Sequence, residues 1–273
     1  MSGNMKIVAH ALVKNEERWI WYSLMSVLDY VDEIMVWDTG STDATVSLIK
    51  SIKSPKIKFQ EAPANDPVSL TRRRQEMLDR TQSDWVLILD GDEIWTDAAL
   101  KSSIDNIVSH QDSPYLINSY ITLLGDMFHF QDPNAGRYKI GPHSGNITIR
   151  FINLNKLPDP TYKRGHPDEG IFVKSKTLLQ EFHPEQSLFI KEPYLHATFL
   201  KRTSLINSDV IRRSHKQKYE LGMQLSRDFK YPKSFYFSHT PQVPSPWSKR
   251  NLTYLIQATW QSPLKLLKRS IFK

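Results

Sequence analysis

The segment Asp90-Gly91-Asp92-Glu93 places three carboxylates within four residues, at the end of an apolar run that begins at Trp85. Carboxylates this close repel one another, and a cation commonly neutralises such a group. Acidic residues after strands often cap the next helix, but capping accounts poorly for three of them. The segment therefore predicts a divalent metal site.

Two further polar clusters follow apolar runs earlier in the chain. Residues 14–17 (KNEE) follow the run KIVAHALV, and residues 38–43 (DTGSTD) end the run EIMVWD. In a parallel α/β sheet, ligands bind beyond the carboxyl ends of the strands, so we expect the three clusters at one edge of a sheet. Asp43, taken alone, could equally cap a helix.

The elements that would position these clusters alternate between strand and helix. Short apolar runs with β-branched residues predict buried strands, and apolar residues at helical spacing predict helices. Ser41 or Thr42 is expected to cap the second helix. The predicted strands are 6–13, 33–38, 56–59 and 85–90, and the predicted helices are 17–30, 41–52, 68–81 and 97–110. This alternation predicts a parallel sheet with helices on both faces.

The pattern changes after Pro114. Residues 115–124 and 146–153 predict antiparallel strands, and a long loop is expected between them. Residues 203–225 predict a helix. Residues 232–246 contain four prolines and predict a linker.

Together, the segments NEE, VWDTGSTDAT and DWVLILDGDE resemble family-two glycosyltransferases of the GT-A fold. Each segment alone is a weak signal, but three in this order, each after a predicted strand, are specific. The resemblance covers about residues 5–97 well and extends more weakly to about residue 225, with similarity to lipopolysaccharide-core type sugar transferases. It implies an α/β fold with a Rossmann-like, mostly parallel sheet and a small antiparallel acceptor-side portion, to which the sequence adds a C-terminal helical extension.

The resemblance also implies roles around a nucleotide-diphosphate sugar. Asp90 would lie near the ribose, Asp92 would bind Mn²⁺ or Mg²⁺, and Asp38 would hydrogen-bond the base. Ala11 and Val13 stand where relatives usually carry a proline and an aromatic residue. Arg74 would contact the donor or support the acidic segment, or else would belong to a solvated basic face. The implied donor-binding residues are Ala11, Asn15, Glu16, Asp38, Arg74, Asp90 and Gly91.

Inverting sugar transfer requires a carboxylate that accepts a proton from the acceptor hydroxyl. The segment GHPDEG offers Asp168 or Glu169, and Glu169 matches the glutamate of a His-Glu motif in the relatives. The alternative is a surface turn with both acids in water. His196, in LHATFLKR, is implied as a second metal ligand, because many GT-A enzymes supply a late histidine to the metal.

Composition narrows the class of protein. The chain has 273 residues, 40% hydrophobic and 24% charged, which excludes a disordered or collagen-like chain. Its lack of cysteine excludes a disulfide scaffold, a cysteine-ligated zinc site and a cysteine nucleophile. No apolar run of about 18 residues predicts a transmembrane helix, and the N-terminal segment is charged too early for a signal peptide. We expect a cytoplasmic protein with peripheral contact at the inner membrane face.

The net charge of +7 is unevenly distributed. Residues 229–273 contain eight Lys and Arg and no Asp or Glu, so the rest of the chain is nearly neutral, unlike a uniformly basic nucleic-acid-binding protein. Residues 247–273 combine six basic residues with apolar residues at helical spacing, and Pro263 is expected to kink or divide the segment. The segment suits an anionic membrane surface, or alternatively a helix packed on the domain with its basic residues outward.

The acidic segment and the resemblance together predict a metal-dependent glycosyltransferase. It would move a sugar from a nucleotide-diphosphate donor to a hydroxyl of a glycan, lipid-linked or other acceptor, with inversion, in glycan, polysaccharide or lipopolysaccharide biosynthesis. The expected domains are 1–228, with a nucleotide-sugar-binding half (1–112) and an acceptor half (113–228), and a basic extension (229–273). One alternative is a non-catalytic nucleotide-sugar-binding module, which the intact acidic segment disfavours. The other is a sugar-nucleotide pyrophosphorylase, which needs a glycine-rich loop that KNEER lacks.

Overall fold

Four parallel strands form the half of the sheet that carries the three polar clusters. They are β1 Ile7–Val13, β2 Glu33–Asp38, β3 Ile57–Glu61 and β4 Trp85–Leu89. In this computed structural model, which describes residues 5–165, 168–204 and 218–271, β1 lies between β4 and β2. Val13 is level with Asp38, and Ala11 is level with Leu89. The three clusters therefore emerge at one edge of the sheet, as predicted.

Helices cover both faces of these strands. They are α1 Ile20–Val27, α2 Thr45–Ser51, α3 Pro67–Asp79 and α4 Asp97–Ser109. Ala9 and Ala11 of β1 belong to the core shared with α1, α2 and α4, whereas Val8 packs in the cluster that contains Met77 of α3. Strands buried on both faces have nearly continuous apolar sequences, which explains why the sequence pattern located them.

The predicted cap of α2 is wrong. The helix begins at Thr45 without a side-chain cap at Ala44. Ser41 and Thr42 instead join the loop after β2 to the loop after β1, because the Asn15 N–H donates to Ser41 Oγ at 2.8 Å and the Thr42 N–H donates to Asn15 Oδ1 at 2.9 Å. Two of the three polar clusters are thus tied together by direct hydrogen bonds.

The second half of the chain extends the sheet and adds two small sheets. Its strands are β5 Glu93–Ile94, β6 Tyr115–Leu124, β7 His129–Phe130, β8 Tyr138–Ile140, β9 His143–Gly145, β10 Ile147–Asn153, β11 Pro160–Lys163, β12 Gly170–Val173, β13 Thr177–Leu178, β14 Leu188–Phe199 and β15 Met223–Gln224. As predicted, β6 and β10 are antiparallel, but the expected loop between them contains three short strands. β10 is also antiparallel to β4, so β6 runs in the same direction as β4.

The predicted helix over 203–225 lies mainly outside the described residues. In the part that the structure describes, residues 218–225 are not helical, because Met223 pairs with Phe130 of β7 and Gly222 has a φ of +62°.

The C-terminal region packs on the sheet domain instead of trailing from it. In the predicted linker, Phe235 is buried 5.2 Å from the ring of Tyr22, whose hydroxyl donates to the Pro244 carbonyl at 2.8 Å. One helix follows, α5 Leu252–Ile271, and Pro263 lies within it without dividing it. No helix of the described residues combines the length and the apolar character needed to cross a bilayer.

Candidate active site

The acidic segment after β4 lines a cavity of about 510 Å³ at the edge of the sheet. From the first half of the chain, the predicted site residues Glu16, Arg74, Asp90, Gly91 and Asp92 contribute to its wall. From the second half, the wall includes Asp168, Glu169 and His196. The fold therefore brings eight predicted residues to one cavity, although up to 180 positions separate them in the sequence.

Three predicted donor-binding residues do not line this cavity. The Ala11 side chain lies in the core, and Asn15 joins the two loops described above. Asp38 Oδ2 accepts the N–H groups of Gly40 and Ser41 at 3.0 and 2.8 Å. Asp38 Oδ1 is buried without a hydrogen-bond partner among the described residues, and such an oxygen is available to a donor group of a ligand. Contact with the base stays a prediction.

Arg150, on β10, neutralises the two ends of the acidic segment. Its Nη2 lies 2.8 Å from Asp90 Oδ2 and also contacts Glu93 Oε1, which accepts the Tyr194 hydroxyl at 2.7 Å. Burial acts to raise the pKa of Asp90, but Arg150 and Arg74 outweigh it and hold that pKa well below its usual range. Burial raises the pKa of Glu93, which is fully enclosed.

Arg202 neutralises the middle of the same segment. Its Nη2 lies 2.9 Å from Asp92 Oδ2, and its Nη1 lies 3.0 Å from Glu16 Oε1. Burial acts to lower the pKa of Arg202, but the carboxylates of Asp92 and Glu16 raise it on balance. Gly91 is required here because a Cβ at this position would lie 2.8 Å from Glu16 Cγ.

These arginines alter the argument for a metal. The sequence alone predicts a cation from the mutual repulsion of three carboxylates, but Arg74, Arg150 and Arg202 already supply positive charge to them. The acidity of the segment is therefore no argument for a metal by itself. The observation that supports a metal is instead the closeness of two possible ligands, Asp92 and His196.

Strand β14 brings His196 to Asp92. His196 is level with Glu93 of β5, the Ala197 N–H donates to the Asp92 carbonyl at 2.8 Å, and His196 Nε2 lies 3.6 Å from Asp92 Oδ2. Within residues 5–165, 168–204 and 218–271, no group of three His, Asp or Glu side chains could hold a metal ion. A carboxylate and an imidazole at this separation nevertheless fit Mg²⁺ or Mn²⁺ sites that are completed by water and substrate phosphates.

Helix α3 holds Glu169 in the cavity wall through Arg74. Arg74 Nε lies 3.0 Å from Glu169 Oε2, while Glu169 Oε1 is buried without a partner among the described residues. Gln75 of the same helix accepts the Tyr162 N–H of β11 at 2.7 Å, which fixes the neighbouring strand. Asp168 is exposed, whereas Glu169 is half-buried, and the role of either as a proton acceptor stays a prediction.

Sequence reasoning did not single out Arg150, Tyr194 or Arg202 as site residues. Arg150 could have been found from the sequence, because an arginine within the apolar strand ITIRFIN needs a buried partner. Arg202 belongs to a group of basic residues within 201–218, and the sequence predicts that one or two of them contact the diphosphate while most form a solvated face. Tyr194 carried no signal, since its hydroxyl reaches Glu93 only across 101 positions.

A mixed, mostly parallel sheet with a DGDE segment at its carboxyl edge defines a glycosyltransferase of the GT-A fold. Residues 12–153, more than half of the chain, match the family model described as glycosyl transferase family 2. The chain belongs to glycosyl transferase family 2, and the resemblance found in the sequence is confirmed.

Similar proteins cover the chain only in part. A TPR repeat-containing protein from Synechococcus elongatus is 30% identical over 99 residues, which are 34% of this chain and 23% of that protein. S. aureus TarS 1–349 in complex with UDP-GlcNAc is 16% identical with a TM-score of 0.49, over 76% of this chain and 60% of that chain. Glucosyl-3-phosphoglycerate synthase from Mycobacterium tuberculosis, in complex with Mn²⁺ and UDP-glucose, is 18% identical with a TM-score of 0.35, over 44% of each chain.

The chain thus spans about a quarter of the curated relative it matches and less than two thirds of these two solved chains. Its membership of the family rests on the family match and not on these likenesses.

Proposed function

We propose that this chain transfers a sugar, with inversion, from a nucleotide-diphosphate donor to an acceptor hydroxyl. One observation carries the proposal: the acidic segment after β4 meets Glu169 and His196, from distant parts of the chain, around a single cavity. A binding module needs groups that hold the donor, but it does not need a buried carboxylate with one oxygen left for a proton.

The proposed reaction uses Glu169 as the base. The acceptor hydroxyl attacks the anomeric carbon on the face opposite the diphosphate, and its proton passes to Glu169 Oε1. The new carbon–oxygen bond forms as the bond from that carbon to the diphosphate breaks, so the configuration at the carbon inverts. Arg74 holds the other oxygen of Glu169, which orients the carboxylate without occupying the reacting oxygen.

The leaving nucleoside diphosphate gains negative charge, and Arg202 and Arg150 in the wall of the cavity would stabilise it. We infer that Asp92 and His196 would hold Mn²⁺ or Mg²⁺ beside it. Such a metal, when bound, acts as a Lewis acid on the leaving phosphate oxygen. Asp38 and the joined loops after β1 and β2 would bind the base.

The proposed division of labour follows the two halves of the chain. Residues 1–112 would bind the donor and residues 113–228 would bind the acceptor, which we propose is a glycan, a lipid-linked molecule or another hydroxyl compound in glycan or polysaccharide synthesis. Residues 229–273 form the basic extension, and we propose peripheral contact with an anionic membrane through residues 247–273.

The experiment that tests this proposal measures the release of nucleoside diphosphate from a panel of UDP- and GDP-sugars, with Mn²⁺ and with EDTA. We expect release with at least one donor, a loss with EDTA, and a fall of at least about 100-fold in Glu169→Gln. Glu33→Gln is the matched control, because Glu33 begins β2 at the opposite edge of the sheet. Donor binding without release for any donor would indicate a binding module, and pyrophosphate release from a nucleoside triphosphate and a sugar phosphate would indicate a pyrophosphorylase.

A further inference from the structure

Helix α5 is docked on the domain through its polar face. Arg269 pairs with the buried Glu220 at 2.8 Å, and Lys265 Nζ donates to the Tyr219 carbonyl at 3.1 Å. Ser262 Oγ accepts the Leu221 N–H at 2.8 Å. The sequence left open a helix packed with its basic residues outward; in the structure two of them face inward.

The opposite face of α5 is apolar and exposed. Leu252, Ile256, Trp260 and Leu264 are 72%, 53%, 78% and 69% exposed, and we call these four residues the outer stripe. They recur every four residues, so at 100° per residue they lie within one 120° sector and extend over about 18 Å. A surface helix normally buries its apolar face. A continuous exposed apolar stripe marks a surface that binds a partner or a membrane.

The charge of the region selects a lipid surface as that partner. Residues 247–273 contain six Lys and Arg and no Asp or Glu. In the described part of this segment, Lys249 and Lys268 are exposed, so two copies meeting through α5 would bring like charges together, whereas anionic headgroups complement them. The outer stripe is also a convex helix face with an exposed tryptophan, as in helices that lie in the membrane interface.

The position of α5 connects this surface to the active-site edge. Arg250, just before the helix, donates to the Leu124 carbonyl at 2.8 Å, and Leu124 is the last residue of β6. Because β6 runs in the same direction as β4, Leu124 and the acidic segment after β4 lie at the same edge of the sheet.

We infer that α5 lies in the plane of an anionic membrane, with the outer stripe among the lipids and its polar face on the domain. The helix thereby holds the sheet edge that carries the cavity near the lipid surface, where a lipid-linked acceptor would be presented. The inference specifies the membrane contact proposed above for residues 247–273, and only its last consequence rests on the proposed sugar transfer. Lipid binding itself is measured without sugar transfer, so the two ideas fail separately.

The salt dependence of binding follows from the ion pairs. Arg250 lies 3.8 Å from Asp126, and Lys265 and Arg269 are both committed to Glu220. Lys249 and Lys268 are the exposed basic residues of the described part of this segment. Insertion of the outer stripe therefore dominates, and binding weakens only modestly with salt, by less than about 10-fold between 50 and 500 mM NaCl.

The test is flotation of the full-length chain with vesicles of phosphatidylcholine containing 30 mol% phosphatidylglycerol. We expect Trp260→Ser with Leu264→Ser to reduce the bound fraction at least 10-fold. Val108→Ser is the matched control, because Val108 is a 57% exposed apolar residue on α4, and it should bind as the wild type does. The other six tryptophans are buried or half-buried, so vesicles should protect Trp260 from an aqueous quencher, and Trp260→Phe should lose that change.

Three outcomes would overturn the inference. The first is wild-type protein that ignores these vesicles at low salt. The second is unchanged binding by the double variant, whose folding is checked by its melting temperature. The third is a wild-type dimer, detected by sedimentation velocity, that the double variant abolishes while vesicle binding persists, because the outer stripe would then join two copies.

Discussion

At the scale of single residues, the site is a set of carboxylates balanced by arginines that arrive from other elements. Arg150 and Arg202 come from β10 and from just beyond β14, and each bridges two acids. When one partner of such a pair is removed, the other remains as an unpaired buried charge. A substitution here therefore changes both the charge of the site and the position of the remaining partner. Variants that keep the shape of the side chain are therefore the informative ones.

Asp92→Asn keeps that shape and removes the charge that would hold a metal. We expect nucleoside diphosphate release to fall by at least about 100-fold, and the Mn²⁺ concentration for half-maximal activity to rise. The fold should persist, because Arg202 still pairs with Glu16. Asp112→Asn, at a 96% exposed side chain, is the control. Wild-type turnover by Asp92→Asn, or equal activity with and without EDTA, would contradict the metal role.

The buried His10 should make the stability of the fold depend on pH. Burial, with a contribution from the charge of Arg74, lowers the pKa of His10 from its usual 6.5 to about 3. Between these values the unfolded chain binds a proton that the folded chain does not bind. The free energy of unfolding should therefore fall as the pH falls below about 6.5, by up to about 1.4 kcal/mol per pH unit from this residue.

Urea unfolding at several pH values measures that slope. His10→Gln should lower the slope between pH 6.5 and 4 even if it changes the stability at pH 7, because no imidazole remains to take up the proton. His110→Gln, at an exposed residue that follows α4, is the control. The same slope in His10→Gln and wild type would remove His10 as its source.

At the scale of elements, the attachment of α5 depends on one buried acid. Glu220 accepts two hydrogen bonds from Arg269 and lies 3.8 Å from Lys265. Glu220→Ala leaves both cations without this partner. Since both are partly exposed and water relieves part of the penalty, we expect the free energy of unfolding to fall by about 1–3 kcal/mol. Glu185→Ala, in a pair with the exposed His183, should change it by less than about 0.5 kcal/mol. If urea unfolding shows the same free energy of unfolding for Glu220→Ala and the wild type, α5 is held by other contacts.

At the scale of the whole molecule, the C-terminal residues 247–271, here called the tail, pack on the domain and also present an exposed surface. Trp247 packs at 5.4 Å from Phe235 and 6.1 Å from Phe128, and a Cβ at Gly125 would lie 2.5 Å from Tyr254 Cζ, which shows how closely the tail approaches β6. Removal of residues 247–273 should therefore expose apolar surface. We expect the melting temperature to fall by more than about 5 °C.

Calorimetry of the truncated chain checks this expectation, with the outer-stripe double variant as its control. The double variant replaces residues that already face water, so its melting temperature should stay within about 2 °C of the wild type. A truncated chain with the melting temperature of the wild type would contradict the docking of α5 on the domain. A double variant that melts early would show that the stripe is buried in solution.

The sequence by itself determined the parallel half of the sheet and the candidate residues at its edge. Apolar runs such as Ile7–Val13 and Trp85–Leu89 carry their own signal, because a strand buried on both faces requires an apolar residue at nearly every position. The polar residues that follow those runs must lie at the carboxyl edge once the strands are parallel. That reasoning located Asp90, Asp92 and Asp38 without any knowledge of the rest of the chain.

Only the tertiary structure decided which charges meet and which way α5 faces. Arg202 neutralises Asp92 across 110 positions, and no local pattern specifies a pairing that depends on β14 lying beside β5. A helical period likewise shows that α5 has an apolar face, but it does not state whether that face is inside. The buried Glu220 requires a cation, and Arg269 on the polar face of α5 supplies it. The polar face therefore packs on the domain, and the apolar face of α5 remains exposed.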